Sequence, residues 1–93
     1  MVYYAYMRSS FTVRVHAVVA RIPKGSVMTY GEVAARAGRP GAGRAVGNIM
    51  HRNPDPARVP CHRVVRADGT VGGYAYGGTA KKAAILRREG VLI

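Results

Sequence analysis

The sequence predicts a mainly α domain with a small β-hairpin, a winged-helix-like body built on a helix-turn-helix. Three observations predict it. Apolar residues recur at three- and four-residue spacing in four separate stretches. Helix start and stop signals bracket those stretches. One Asp-Gly turn lies between two short β-branched runs.

Ser9 and Ser10 offer caps to a first helix whose apolar positions are Phe11, Val15, Val18, Val19 and Ile22, and Pro23 ends it. Lys24-Gly25-Ser26 turns the chain into a short extended piece, Val27-Met28. Thr29-Tyr30-Gly31-Glu32 has the form of a capping box, so a second helix starts there, carries Val33, Ala34 and Ala37 inward, and closes at Gly38. A third helix runs from Gly41 to Met50, with Ala45, Val46, Ile49 and Met50 on one side and Arg44, Asn48 and Arg52 on the other, and Asn53-Pro54 stops it. Two short helices joined by Gly38-Arg39-Pro40-Gly41 have the length and turn chemistry of a helix-turn-helix. Gly43 and Gly47 weaken the third helix by up to about 1 kcal/mol each relative to Ala. Either a second helix or a nucleic-acid backbone approaching closely would require them.

After the loop Asn53-Pro54-Asp55-Pro56, Val64-Val65 and Thr70-Val71 flank Asp68-Gly69 as the arms of the hairpin. Gly72 to Gly78 is a glycine-rich, tyrosine-bearing loop. Thr79 is placed to cap a last helix from Ala80 to Glu89, with Ala83, Ala84, Ile85 and Leu86 inward, Gly90 as terminator, and Val91-Leu92-Ile93 packing back. The tyrosines at 3, 4 and 6 read as a short edge strand or added packing, ahead of a base-stacking role.

Ninety-three residues make one domain, 1–93, which buries only roughly 60–65% of the surface of its unfolded chain and leaves no room for a separate cofactor domain. A hydrophobic share of 48% is too high for a disordered basic tail, and no apolar run reaches the length of a membrane span. One cysteine excludes an internal disulfide framework and a cysteine-based zinc cluster. Met1 to Arg8 lacks the pattern of a secretory signal, which leads us to expect an intracellular protein, cytoplasmic or nuclear, with no membrane partner.

Fifteen Lys plus Arg against four Asp plus Glu give a formal charge of +11. Such an excess self-repels, and a polyanion that releases counterions on binding relieves it. Nucleic acid is the leading partner, ahead of a plain solubility role or an adaptation to acid or heat. Twelve of the fifteen cations are Arg, whose planar fork matches phosphate and base edges.

Cys61 stands between Pro60 and His62, and a basic, His-bearing setting raises the thiolate fraction of a thiol. A lone cysteine is more often a small buried hydrophobe. Adjacent strand residues face opposite ways, so Cys61 and His62 cooperate only on a bend, which Pro60 makes available. Glu89, in the last turn of its helix, opposes the macrodipole and calls for a cationic partner. Arg87 and Arg88 are the plain candidates, and His62 is the one that would complete the orientation logic of a triad.

The run Pro60-Cys61-His62-Arg63-Val64-Val65 resembles the active-site motif of the O6-alkylguanine-DNA alkyltransferases, and five further stretches resemble that family in the same order: 27–34, 43–47, 52–54, 71–74 and 88–90. The likeness covers roughly Phe11 to Gly90 and implies the catalytic module alone, without the family's N-terminal domain. It implies that Cys61 takes the alkyl group from O6 of a guanine flipped out of double-stranded DNA and keeps it, so that the protein acts once. By the same likeness His62 is a base acting through water, Glu89 orients it, Asn53 lies in a hinge near the site, and Tyr30 donates a proton or hydrogen bond to the departing ring. Arg44 is the finger that fills the vacated stack, and Gly43, Ala45, Gly47 and Asn48 lie with it on a helix entering the minor groove. Val59, Pro60, Tyr74, Ala75 and Gly78 wall the pocket.

No cofactor and no metal are implied, and a monomer is expected. Ala75 stands where relatives place Ser or Arg, and the loop 74–78 is one residue longer than in some of them. The alternative function is a non-catalytic sensor of the alkyltransferase-like kind, which binds alkylated guanine but carries another residue in place of the cysteine. A basic winged-helix regulator with an incidental cysteine is the third reading.

Overall fold

A computed structural model describes residues 9–93, and the tyrosines at 3, 4 and 6 lie outside the described residues. Helix α1, Phe11–Ala20, begins where the Ser10 hydroxyl accepts the Val13 amide at 3.2 Å, and Arg21 ends it ahead of Pro23. Its Val15 and Val19 are fully buried. The two-residue strand β1, Met28–Thr29, leads directly into helix α2, Tyr30–Arg36. The capping box is complete: Thr29 Oγ1 accepts the Glu32 amide at 3.1 Å, and Glu32 Oε1 accepts the Thr29 amide at 3.0 Å.

Gly38, in the left-handed region, closes the helix end, and Gly41 turns the chain into helix α3, Gly43–His51. The helix-turn-helix is therefore present, with the second helix starting two residues later than the glycine pattern predicts. Its two glycines differ in what they allow. A Cβ on Gly43 would lie 3.4 Å from the Gly31 amide nitrogen, so this residue lets α3 close against α2. A Cβ on Gly47 would meet only the Tyr30 ring, at 3.9 Å, in ordinary contact.

A 3₁₀ turn, Cys61–Arg63, precedes strand β2, Val64–Val65. The fold is mainly helical with one two-stranded sheet, and that sheet is parallel: Met28 faces Val64 and Thr29 faces Val65. The expected hairpin is corrected here. The Asp68-Gly69 turn forms, with Thr70 donating to Asp68 Oδ1, but only the Arg66 amide bonds back across it, to Thr70 O at 3.0 Å. Val64 O is taken by the Lys82 ammonium at 2.6 Å, and Gly72 in the left-handed region bends the return arm away before a ladder develops.

Helix α4, Gly78–Arg88, begins at Gly77 and not at Thr79, whose hydroxyl instead donates to Gly72 O at 3.0 Å. Its inward positions are Lys82 and Leu86, with Ala83 packed beside Leu86, whereas Ala84 is exposed. Gly90 closes α4 as expected: its amide bonds Arg87 O and the Val91 amide bonds Leu86 O, the paired bonds of a Schellman ending. Val91 packs back against the small cluster of Val65, Val71 and Leu86, but Leu92 is 98% exposed and does not. The main core joins α1, α2 and α3 through Val15, Val19, Val33, Val46 and Met50, and it reaches Cys61 and Val64 on one side.

Candidate active site

The sequence around Cys61 is compact because its backbone has two local brackets: the Cys61 amide donates to Val59 O at 2.7 Å, and the Arg63 amide donates to Pro60 O at 2.9 Å. Those bonds make the bend that lets neighbouring side chains serve one site. Cys61 is 4% exposed, belongs to the edge of the main core, and lines a cleft of about 660 Å³. It is the only cysteine of the chain, and its thiol is free.

Behind the cleft His62 is held from the other side. Its Nε2 lies 3.0 and 3.1 Å from the two oxygens of Glu89, the residue that caps the C-terminus of α4. Glu89 also receives Arg63 in a two-pronged pair, Nε to Oε1 at 3.0 Å and Nη2 to Oε2 at 2.9 Å, while Arg63 Nη1 donates to Ile22 O at 2.9 Å. The cation that the helix end demands is thus Arg63 together with His62, and not Arg87 or Arg88. The Arg63 hydrogen bonds above all, with His62 adding to them, hold the Glu89 carboxyl far below the ordinary range, at about 2. Because Nε2 faces Glu89, Nδ1 is the ring nitrogen left for any other partner.

Tyr30, the first residue of α2, stands in the cleft wall with its hydroxyl accepting from Lys82 at 3.3 Å. Burial raises its phenol above the usual value. Gly72 has φ +79, and a Cβ there would come 3.2 Å from the Tyr30 hydroxyl, so glycine both turns the loop and leaves the phenol its place. Tyr74 sits edge-on to His62, ring centroids 6.4 Å apart, and leans on Tyr76 at 5.9 Å.

Of the sequence-predicted residues, Tyr30, Gly43, Arg44, Gly47, Asn48, Cys61, Tyr74 and Ala75 come together along the cleft. Ala45 stands beside it on α3, turned from the opening. Val59 packs into the main core, Pro60 is buried, and Gly78 is an exposed first residue of α4, so these three do not form the wall expected of them. Asn53 is 2% exposed and acts on backbone: its Nδ2 donates to Val59 O at 2.7 Å, its Oδ1 accepts the Asp55 amide at 3.1 Å, and its carbonyl accepts the Tyr76 hydroxyl. Sequence reasoning missed Arg63, Lys82, and the cleft-lining His51 and Arg66. His51 had a signal, lying seven residues after Arg44 on one helical face. Arg63 had one too, since Glu89 called for a cation. Arg66 had none.

No group of three or more His, Cys, Asp or Glu among the described residues is arranged to hold a metal ion. No helix among them is long and apolar enough to cross a membrane.

Residues 10–91 match the family model of the 6-O-methylguanine DNA methyltransferase DNA-binding domain. A methylated-DNA–protein-cysteine methyltransferase of Methanothermobacter thermautotrophicus is 53% identical over 78 residues, 84% of this chain and 43% of that protein. The Mus musculus protein of the same name is 45% identical over 87 residues, 92% of this chain and 41% of its own length. The chain therefore spans about two fifths of these relatives. Among solved structures, Mycobacterium tuberculosis OGT in complex with DNA superposes with a TM-score of 0.82 at 44% identity, over 88% of this chain and 49% of that one. S. pombe Atl1, in complex with damaged DNA containing O6-carboxymethylguanine, superposes with a TM-score of 0.79 at 36% identity, over 89% of this chain and 78% of that one.

Proposed function

The chain belongs to the 6-O-methylguanine DNA methyltransferase family, and from that premise we propose that it repairs double-stranded DNA by moving an alkyl group from O6 of guanine to its own Cys61, once per molecule. The observation that carries this reading is a single free thiol at the edge of a cleft, with a His62–Glu89–Arg63 chain fixed directly behind it.

The step balances as follows. The Cys61 proton passes to His62 through a water, the sulfur forms a bond to the alkyl carbon, and the carbon–O6 bond breaks. Its electron pair enters the purine, which receives a proton from Tyr30 as it leaves. Glu89, held at about 2 chiefly by Arg63, remains a carboxylate throughout. It orients the imidazole and stabilises its charged form without itself taking the proton. The product is a thioether with no good leaving group, so water does not release it and turnover stops at one.

The cleft's other side supports a DNA contact. Arg44 and Asn48, four residues apart on α3, border the opening, and Gly47 between them keeps that face of the helix slim. An Arg inserted where the guanine has left offsets part of the few kcal/mol that flipping costs. Gly43, by contrast, serves helix packing. A monomer working on nucleoid or nuclear DNA fits this reading, and so does the +11 charge.

A second reading, the non-catalytic sensor, is favoured by the likeness to S. pombe Atl1, whose length this chain spans more fully than that of the methyltransferases. One experiment separates them. Incubation with a duplex bearing O6-methylguanine, then mass spectrometry, should add about 14 Da, a methyl for a hydrogen, to the peptide holding Cys61. Tight binding with an unchanged mass would decide for the sensor.

A further inference from the structure

Lys82 lies on α4 one turn before Leu86 and has no exposed surface. Burying an ammonium is costly unless each of its protons has an acceptor. Here all three have one: Val64 O at 2.6 Å, Gly73 O at 3.2 Å and Tyr30 Oη at 3.3 Å. Two of these are carbonyls, which only accept. The third is a hydroxyl, which accepts or donates according to its partner.

We infer that Lys82 is a positioning residue for departure of the guanine: its buried ammonium occupies the acceptor side of Tyr30 Oη, turns the phenol's own proton into the cleft, and replaces that proton once it has passed to the purine. The inference rests on the transfer reaction proposed above. A neutral amine in the same place has two protons and a lone pair for three neighbours. Tyr30 then turns to donate to the amine, and its proton is withdrawn from the cleft. The charge on Lys82 therefore sets the direction of the Tyr30 hydroxyl.

Proton balance is complete within the pair. Tyr30 gives its proton to the departing purine, one ammonium proton passes to the phenolate oxygen, and Lys82 is left as the amine. Burial lowers Lys82 to about 8 and raises Tyr30 above its ordinary value, so that second transfer runs downhill. A protein that acts once does not need the amine recharged. The titratable and charged groups facing Lys82 are Tyr30 from α2, Cys61 from the 3₁₀ turn and Arg66 beyond β2; a Cys61 thiolate favours the ammonium and Arg66 opposes it.

The test is the single-turnover rate of methyl transfer from an O6-methylguanine duplex, followed across pH in the wild type, Lys82→Gln, Lys82→Met and Tyr30→Phe, with thermal melting as the folding check. The wild-type rate should fall as pH rises through about 8, where Lys82 loses its proton. In the folded Lys82 variants that alkaline fall should vanish, with the neutral-pH rate lowered ~10–100-fold. Adding Lys82→Gln to Tyr30→Phe should cost nothing beyond Tyr30→Phe alone. A folded Lys82 variant with the wild-type rate and the same alkaline fall overturns the inference, as does an additive loss in the double variant. Should neither Lys82 variant fold, Tyr30→Phe decides, since an alkaline fall that persists without the phenol overturns it too. A wild type that transfers no methyl at any pH overturns the repair reading itself, a result distinguishable from all of these.

Discussion

Arg63 and Glu89, 26 positions apart, form a two-pronged ion pair of 3.0 and 2.9 Å that joins the turn bearing the thiol to the last residue of α4. Both side chains are largely buried, at 16% and 12% exposure, so water screens them little. The pair converts an unfavourable helix terminus into the fixed point against which His62 is aimed.

Stability should follow the titration of Glu89. Its folded-state value is depressed to about 2 from an ordinary 4.5, so the folded form binds fewer protons than the unfolded form between those values. The contribution is fully present above about 4.5 and is lost as pH falls towards 2. Urea unfolding in that window should show a steep acid loss in the wild type and a shallower one in Glu89→Gln, which starts less stable at neutral pH. Equal slopes would mean that the ion pair does not link proton binding to folding. Glu32 and Asp68, also depressed but fully exposed, contribute little.

Gly72→Ala should harm the site more than its size suggests. Alanine is strained at φ +79, at a cost of about 1–2 kcal/mol, and its Cβ would press on the Tyr30 hydroxyl from 3.2 Å. A lowered melting temperature together with a reduced transfer rate is expected. Gly73→Ala, next to it with nothing near its Cβ, should leave both closer to wild type.

Arg44→Ala should separate flipping from folding. Arg44 is exposed on α3 and its loss removes no core contact, so melting should be unchanged while methyl transfer slows ~10–100-fold. Binding to undamaged duplex should fall only modestly. In the wild type that binding should weaken steeply with salt, in proportion to the number of phosphates contacted. A variant transferring at the wild-type rate would remove Arg44 from the stack.

Local signals were the most legible part of the fold. Thr29 and Glu32 declare a helix start whatever surrounds them, and Gly90 declares an end, because each acts on backbone within one turn. The hairpin failed for the opposite reason. Val64-Val65 has the composition of a strand, but composition does not name its partner, and the partner lies 36 residues back at Met28-Thr29. The candidate site divides in the same way. Cys61, His62 and the demand of Glu89 for a cation could be read from types and spacing. Lys82 could not: a lysine in an amphipathic helix reads as solvent-facing, and its burial follows from three acceptors that only the tertiary fold assembles.

Asn53 should matter through a carbonyl it shares with the nucleophile. Val59 O accepts both Asn53 Nδ2 and the Cys61 amide, each at 2.7 Å, so the asparagine steadies the backbone from which the thiol projects. Asn53→Ala leaves the Asp55 amide without its acceptor and removes one of the two bonds to Val59 O, a loss of about 1–3 kcal/mol. For a domain of this size each kcal/mol corresponds to roughly 4–8 °C in melting temperature. Asn53→Asp should be worse, since a carboxylate cannot donate and would turn a buried charge against the Val59 carbonyl. Transfer should slow in both variants, in that order, when measured well below their melting points. A folded Asn53→Asp with the wild-type rate would show that Cys61 needs no support from this bracket.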